Sequence, residues 1–139
     1  MKKQIILSNN LEAIPELAVF VEQVCEELAL DNSLIFKLNL VLEEAVTNVI
    51  LYAYPRKEAH IFQVSISKED DILTAQVKDA GTPFDPTTQA PQVDTKLSVE
   101  ERKIGGLGIY LIKEYMDDVS YQRTADGYNV LTMTKQIKN

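Results

Sequence analysis

Glu44 and Asn48 stand four residues apart in the run Leu38-Asn39-Leu40-Val41-Leu42-Glu43-Glu44-Ala45-Val46-Thr47-Asn48-Val49-Ile50-Leu51-Tyr52. On a helix that spacing stacks them one turn above the other on one side. Glu43 is turned away by about 100° and does not share that side. Leu34, Leu38, Val41, Ala45, Val49 and Tyr52 recur at steps of three and four, which makes one apolar face. A carboxylate and an amide aligned beside a hydrophobic core need partners. Either water supplies them along a solvated stripe or a bound ligand does. Two further stretches favour a ligand. Asp79-Ala80-Gly81 closes a β-like run, where the carboxylate can accept a hydrogen bond from a ligand N–H and the glycine lets the ligand approach the backbone. Gly105-Gly106-Leu107-Gly108 opens a helical pattern, and glycines there free backbone N–H groups at a helix N-terminus to face a phosphate. This is not a Walker loop, because no Gly-Lys-Ser/Thr follows, and it is not the full dinucleotide fingerprint.

The elements that must position these residues are legible in order. Gln4 to Ser8 is a short β-like run closed by Asn9 and Asn10. Pro15 suits the first turn of a helix whose stripe is Leu17, Phe20, Val21, Val24 and Leu28. Asp31-Asn32-Ser33 can cap the second helix, which Pro55 stops. Ile61 to Ser67 alternates Phe62, Val64 and Ile66 against Gln63, Ser65 and Ser67. Asp70-Asp71 turns the chain into a second strand from Ile72 to Val77. Residues 79 to 104 hold three prolines and no convincing element, and so long a loop in a compact domain is usually a lid or a binding loop. Leu107 to Met116 is helical, and Val119–Gln122 with Tyr128–Lys135 form a closing hairpin around Ala125-Asp126-Gly127. The order β-α-α-β-β-loop-α-β-β implies an α+β two-layer sandwich, with a mixed, mostly antiparallel sheet covered by helices on one face.

Composition bounds the rest. At 139 residues the chain is expected to be one domain spanning 1–139. Its 14 basic against 21 acidic side chains give a net charge of −7, which argues against a nucleic-acid partner. A small anion held by backbone amides is not excluded. No apolar run reaches the ~18 residues of a membrane-spanning helix, and no signal-peptide pattern opens the chain, so a cytoplasmic protein is expected. The single Cys25 rules out an internal disulfide and has no basic neighbour to activate it. His60, also single, offers neither a dyad nor a metal cluster and is expected at a solvated strand end.

Together, Glu44-Ala45-Val46-Thr47-Asn48, the Asp79-to-Pro86 box and Gly105-Gly106-Leu107-Gly108-Ile109 through Met116-Asp117-Asp118-Val119 resemble the ATP-binding superfamily of histidine kinases and gyrase, with its Bergerat fold. Within it they are most similar to the anti-sigma-factor serine/threonine kinases, as is the ending Asn129-Val130-Leu131-Thr132. The resemblance implies that Asn48 holds Mg²⁺ and that Glu44 is the general base on the hydroxyl of a protein substrate. It also implies that Asp79 accepts the adenine amino group, that Gly81 makes room for the ring beside Pro83, and that Gly105, Gly106, Leu107 and Gly108 line the triphosphate of ATP. Residues 86 to 104 would be the ATP lid, with Arg102 or Lys103 reaching the γ-phosphate. The implied partners are a sigma factor and a small STAS-type anti-sigma antagonist, with a homodimer contacting through the apolar N-terminal strand. Tyr52 and Ala53 replace the His-Gly seen in sporulation-type members, which bears on the partners and not on the nucleotide site. Two other readings are a non-catalytic nucleotide-dependent binding module and a detached histidine-kinase catalytic domain. The second is disfavoured by the absence of a phosphoacceptor-histidine hairpin.

Overall fold

Five antiparallel strands in the order β1-β2-β3-β5-β4 carry the helices on one face. The structure, a computed structural model, describes residues 1–55, 58–83, 85 and 108–137. The elements are β1 (Lys2–Ser8), α1 (Ala13–Glu27), α2 (Asn32–Asn48), a π-helical turn (Val49–Ala53), β2 (Ile61–Glu69) and β3 (Ile72–Asp79), then α3 (Gly108–Tyr115), β4 (Asp118–Arg123) and β5 (Asn129–Gln136). The expected order of elements holds along the whole described chain. The expected mixed sheet does not, since all four pairings are antiparallel. β3 and β4 do run parallel, as a strand–helix–strand connection leads one to expect. β5 lies between them, however, and pairs antiparallel with both, so no parallel ladder forms among the described residues.

Local chemistry explains the boundaries. Pro15 sits in the first turn of α1, where its missing N–H costs no intrahelical bond. Asp31 caps α2 by accepting the Leu34 N–H at 2.8 Å. Asp70 turns the β2–β3 hairpin at φ +53°, a conformation that aspartate tolerates better than most residues. Gly127 takes φ +92° in the β4–β5 turn, which a side chain rarely adopts.

The core lies between the sheet and the helices. Leu34, Leu38, Val41 and Ala45 of α2, with Val49 of the π-helical turn, are buried against Phe62, Val64 and Ile66 of β2 and Leu73, Ala75 and Val77 of β3. Leu17, Val21, Val24 and Cys25 complete it from α1, and burial pushes the Cys25 thiol up to about 11, so it is inert at neutral pH. α2 therefore runs through the middle of the helical layer, between α1 and α3. Whatever its last turns carry is held by a helix packed on both sides and against the sheet. Among the described residues no helix is long and apolar enough to cross a membrane.

Candidate functional site

Two side-chain oxygens in the last turns of α2 are buried without hydrogen-bond partners among the described residues. Asn48 is 7% exposed, and its Oδ1 finds no hydrogen-bond donor among the described residues. One turn earlier, Oε2 of Glu44 is in the same condition. An orphaned buried acceptor costs about 1–3 kcal/mol, and native proteins rarely tolerate one without a reason. Two such atoms on one side of one helix mark a place where an outside group completes the bonding. Burial pushes the Glu44 carboxyl up to about 7, with the adjacent charge of Glu43 adding to the effect. Glu44 is thus poised to exchange a proton near neutrality.

Beyond Asn48 the helix widens into the π-helical turn Val49–Ala53. Such turns insert a bulge and occur often at functional sites. The wider pitch changes which residues face inward. A steady α-helical step would bury Tyr52 above Val49, whereas here Ala53 and Tyr54 are buried and Tyr52 is half-buried. The expected membership of Tyr52 in the apolar face is corrected accordingly.

The inward-turned backbone serves as an anchor for the loop after β3. The Thr82 N–H donates to the Ala53 carbonyl at 2.7 Å, and the Ala80 N–H donates to the Tyr54 hydroxyl at 2.9 Å. Gly81 is pressed against the same turn: a Cβ there would lie 2.2 Å from the Ala53 oxygen and 2.7 Å from its carbonyl carbon. The protein's own backbone therefore demands glycine at this position, in addition to any ligand. Gly81→Ala is expected to destabilise the fold by about 1–3 kcal/mol, visible as a lower urea midpoint. An unchanged midpoint would show that the turn yields without strain.

Asp79, at the end of β3, is 6% exposed. Its Oδ1 accepts the Gly81 N–H at 2.9 Å and the Asn129 side-chain N–H at 2.9 Å, and neither donor uses Oδ2. Burial raises its pKa, while the Asn129 and Gly81 hydrogen bonds and the charge of Arg123 oppose the rise. Asn129 opens β5 opposite Asp79 in register. Its amide also donates to the Thr82 carbonyl at 3.0 Å, and its own oxygen accepts the Tyr121 hydroxyl. Arg123 donates to the Gly81 carbonyl at 2.8 Å. The loop Asp79–Thr82 is thereby held from the π-helical turn with Tyr54 after it, from β4 and from β5 at once.

Asn48 and Asp79 line one cleft, together with Val49, Ala53, Val77, Tyr121, Asn129 and Leu131. It contains about 430 Å³ not filled by atoms, part of it open to solvent. Apolar walls with a carboxylate and an unpaired amide oxygen among the lining suit a flat ring that continues into a polar tail. Glu44 lies one turn away on α2 and does not line this cleft. Pro83 is exposed beyond the loop, and Gly108 begins α3. Gly105, Gly106 and Leu107, along with Arg102, Lys103 and the segment 86–104, lie outside the described residues.

His60 stands just before β2 with its side chain 39% exposed, as expected of a solvated strand end. Its ring stacks on Tyr54, with centroids 4.3 Å apart and planes 11° from parallel, and Nε2 lies 3.1 Å from Glu58. Sequence reasoning also missed Tyr54, Tyr121 and Asn129 as site-forming residues. For Asn129 the signal was an amide opening a strand directly after a glycine turn. For Tyr54 nothing marked it out, because its inward orientation depends on the π-helical turn.

Comparison with known proteins follows this geometry. The histidine kinase-like ATPase domain matches residues 7–135. The serine-protein kinase RsbW of Listeria monocytogenes is 35% identical over 103 residues, which is 72% of this chain and 64% of that protein. The serine/threonine-protein kinase BtrW of Bordetella bronchiseptica is 31% identical over 99 residues, 71% of this chain and 68% of that one. The anti-sigma F factor of Bacillus licheniformis is 26% identical over 73% of this chain and 68% of its own length. The match thus spans about two thirds of these relatives. Among solved structures, the SiaB–SiaC complex from Pseudomonas aeruginosa contains a chain with a TM-score of 0.54 and 16% identity, covering 96% of this chain and 89% of that one, a likeness of fold.

Proposed function

Because the chain belongs to the histidine kinase-like ATPase domain family, we propose that it is an ATP-dependent serine/threonine protein kinase acting as an anti-sigma factor. The observation that carries the proposal is the pair of orphaned oxygens, Glu44 Oε2 and Asn48 Oδ1, one helical turn apart beside a cleft that ends on Asp79. The similarity to the Listeria and Bordetella kinases supports the kinase, and that to the Bacillus anti-sigma F factor supports the anti-sigma role. The substrate is a serine or threonine of a small antagonist protein of the STAS type, and the second partner is a sigma factor, met in the cytoplasm. A second copy of the chain would dock along β1, where Ile6 is 52% exposed.

In this reading Asp79 accepts the adenine amino group, and the apolar walls take the ring. The triphosphate runs toward Asn48 and the glycines Gly105, Gly106 and Gly108. The residues present fit Mg²⁺: the Asn48 amide oxygen is a hard donor that lacks a partner, and Mg²⁺ needs only one or two protein oxygens when phosphates and water fill the rest. Among the described residues no group of three acidic, histidine or cysteine side chains competes as a metal cage. A bound Mg²⁺ supplies charge neutralisation on the phosphates.

The protein's own chemistry centres on Glu44. Its carboxylate takes the proton of the substrate hydroxyl as the hydroxyl oxygen bonds to the γ-phosphorus. The bond from the γ-phosphorus to the β–γ bridging oxygen breaks, and ADP carries that electron pair away. The base must be ionised to act, so kcat/KM for transfer is expected to rise with pH and level off above the Glu44 pKa of about 7. Labelled γ-phosphate transfer to candidate antagonists between pH 5.5 and 8.5 checks this. A flat profile removes Glu44 from the base role, and no transfer to any antagonist leaves a nucleotide-dependent binding module.

A further inference from the structure

We infer that Tyr54 is the positioning residue that sets the base-recognition loop, acting from the far end of the π-helical turn. This rests on the nucleotide reading above and adds to it a residue that touches no nucleotide. Three consecutive amides of the loop are each tied down: Ala80 to the Tyr54 hydroxyl, Gly81 to Asp79 Oδ1, and Thr82 to the Ala53 carbonyl. The second of these ties belongs to Asp79 itself. The third belongs to backbone and survives most substitutions. The first depends on one side-chain oxygen, and it acts on the residue directly after the carboxylate that meets the base.

That oxygen is held in place from several sides. Tyr54 is 7% exposed, and its backbone has left the turn for an extended conformation at φ −126° and ψ 151°. Its hydroxyl accepts the Ala80 N–H and lies 3.4 Å from the Ile61 carbonyl, toward which it can donate, so both capacities of the group are engaged. The ring plane is fixed by the parallel stack with His60. His60 is fixed in turn, with its N–H donating to Asn9 Oδ1 at 2.8 Å and its carbonyl accepting the Asn9 N–H at 3.1 Å. The Asn9 amide also donates to the Glu58 carbonyl at 2.8 Å. Burial holds the phenol above its ordinary pKa, which keeps the proton on at all working pH.

The consequence is a rigid bridge from the end of α2 to Asp79. The same turn begins at Val49, directly after Asn48, and ends by fixing Ala80, so the separation between the unpaired amide and the base-facing carboxylate is set by five π-helical residues and one hydroxyl. Removing the hydroxyl leaves the Ala80 N–H unpaired and lets the Asp79 carboxylate drift from its aim. That change falls on recognition of the adenine amino group. It leaves phosphate contacts unaltered, which a general loss of stability would not do.

The test is calorimetric titration of wild type and Tyr54→Phe with Mg-ATP and Mg-GTP. The phenylalanine keeps the buried ring and the His60 stack. The ATP-over-GTP affinity ratio is expected to fall about tenfold, the size of one hydrogen bond to a buried donor, with GTP affinity unchanged. An unchanged ratio in the variant, beside a wild type that prefers ATP, overturns the inference alone. Equal loss for both nucleotides also overturns it. A wild type that binds neither nucleotide, or both equally, overturns the nucleotide reading of the Asp79 loop and takes this inference with it. Amide exchange on the unaltered protein gives an independent check: the Ala80 N–H is expected to be protected without nucleotide, and exchange at the rate of an exposed amide refutes its bond to Tyr54.

Discussion

Glutamine in place of Glu44 is expected to leave ATP bound and reduce phosphoryl transfer by about 10²–10⁴-fold, the usual contribution of a general base. The substitution keeps the shape and an acceptor oxygen at a position where Oε2 has no partner, so the cleft lined by Asn48 and Asp79 is left as it was. It removes only the ability to take up a proton. A second readout follows from linkage. Folding raises the Glu44 pKa from 4.5 to about 7, so the folded state favours the protonated form. Below pH 4.5 the carboxyl is protonated whether the chain is folded or not, and it costs nothing. Between 4.5 and 7 the unfolded chain gives up the proton while the folded one keeps it, and stability falls as pH rises. Above 7 the cost levels off at no more than about 3 kcal/mol, reduced by whatever water reaches the carboxylate. The glutamine variant without nucleotide is therefore expected to melt higher than wild type at pH 8 and close to it at pH 4.5. Undiminished transfer would remove Glu44 from catalysis, and equal melting at pH 8 would deny the burial of its charge.

The second large effect is on nucleotide binding. Asn48→Ala is expected to weaken Mg-ATP affinity by about 100-fold or more, while nucleotide affinity in EDTA changes little. The alanine deletes the unpaired amide oxygen at the end of α2. Helix propensity favours alanine over asparagine by several tenths of a kcal/mol, and a buried orphan acceptor disappears with the amide. The apo protein should consequently fold at least as well as wild type, so lost binding cannot be ascribed to lost structure. Thermal-shift titrations with ATP, with and without Mg²⁺, measure both quantities. A wild-type Mg²⁺ dependence in the variant would place the cation elsewhere.

Much of this arrangement was legible in the residues. The period of α2 set Glu44 and Asn48 one above the other, the alternation in β2 sorted core from surface, and Asp31, Pro15 and Gly127 marked their boundaries for local chemical reasons. Two features escaped for physical causes. The π-helical turn has no strong sequence signature, since Val49–Ala53 reads as ordinary helix. A half-turn of register then exchanges Tyr52 for Ala53 and Tyr54 on the inner face. The Asp79–Asn129 pair joins residues 50 positions apart. Their meeting depends on β5 entering the sheet beside β3, which periodicity within either strand cannot reveal. Gly81 was legible as a residue needed at the site, although the atoms that exclude a side chain there belong to Ala53.

The position of β5 also bears on how the molecule is made. Synthesis proceeds from the N-terminus, and domains generally fold as units. β5 follows β4 in the chain yet lies inside the sheet, between β3 and β4, and it brings Asn129 to Asp79. Until Asn129–Gln136 pairs, β3 is exposed along one edge and the cleft lacks Asn129 and Leu131. Closure of the cleft therefore waits on a pairing between segments far apart in the chain, and the site is completed only when the sheet is.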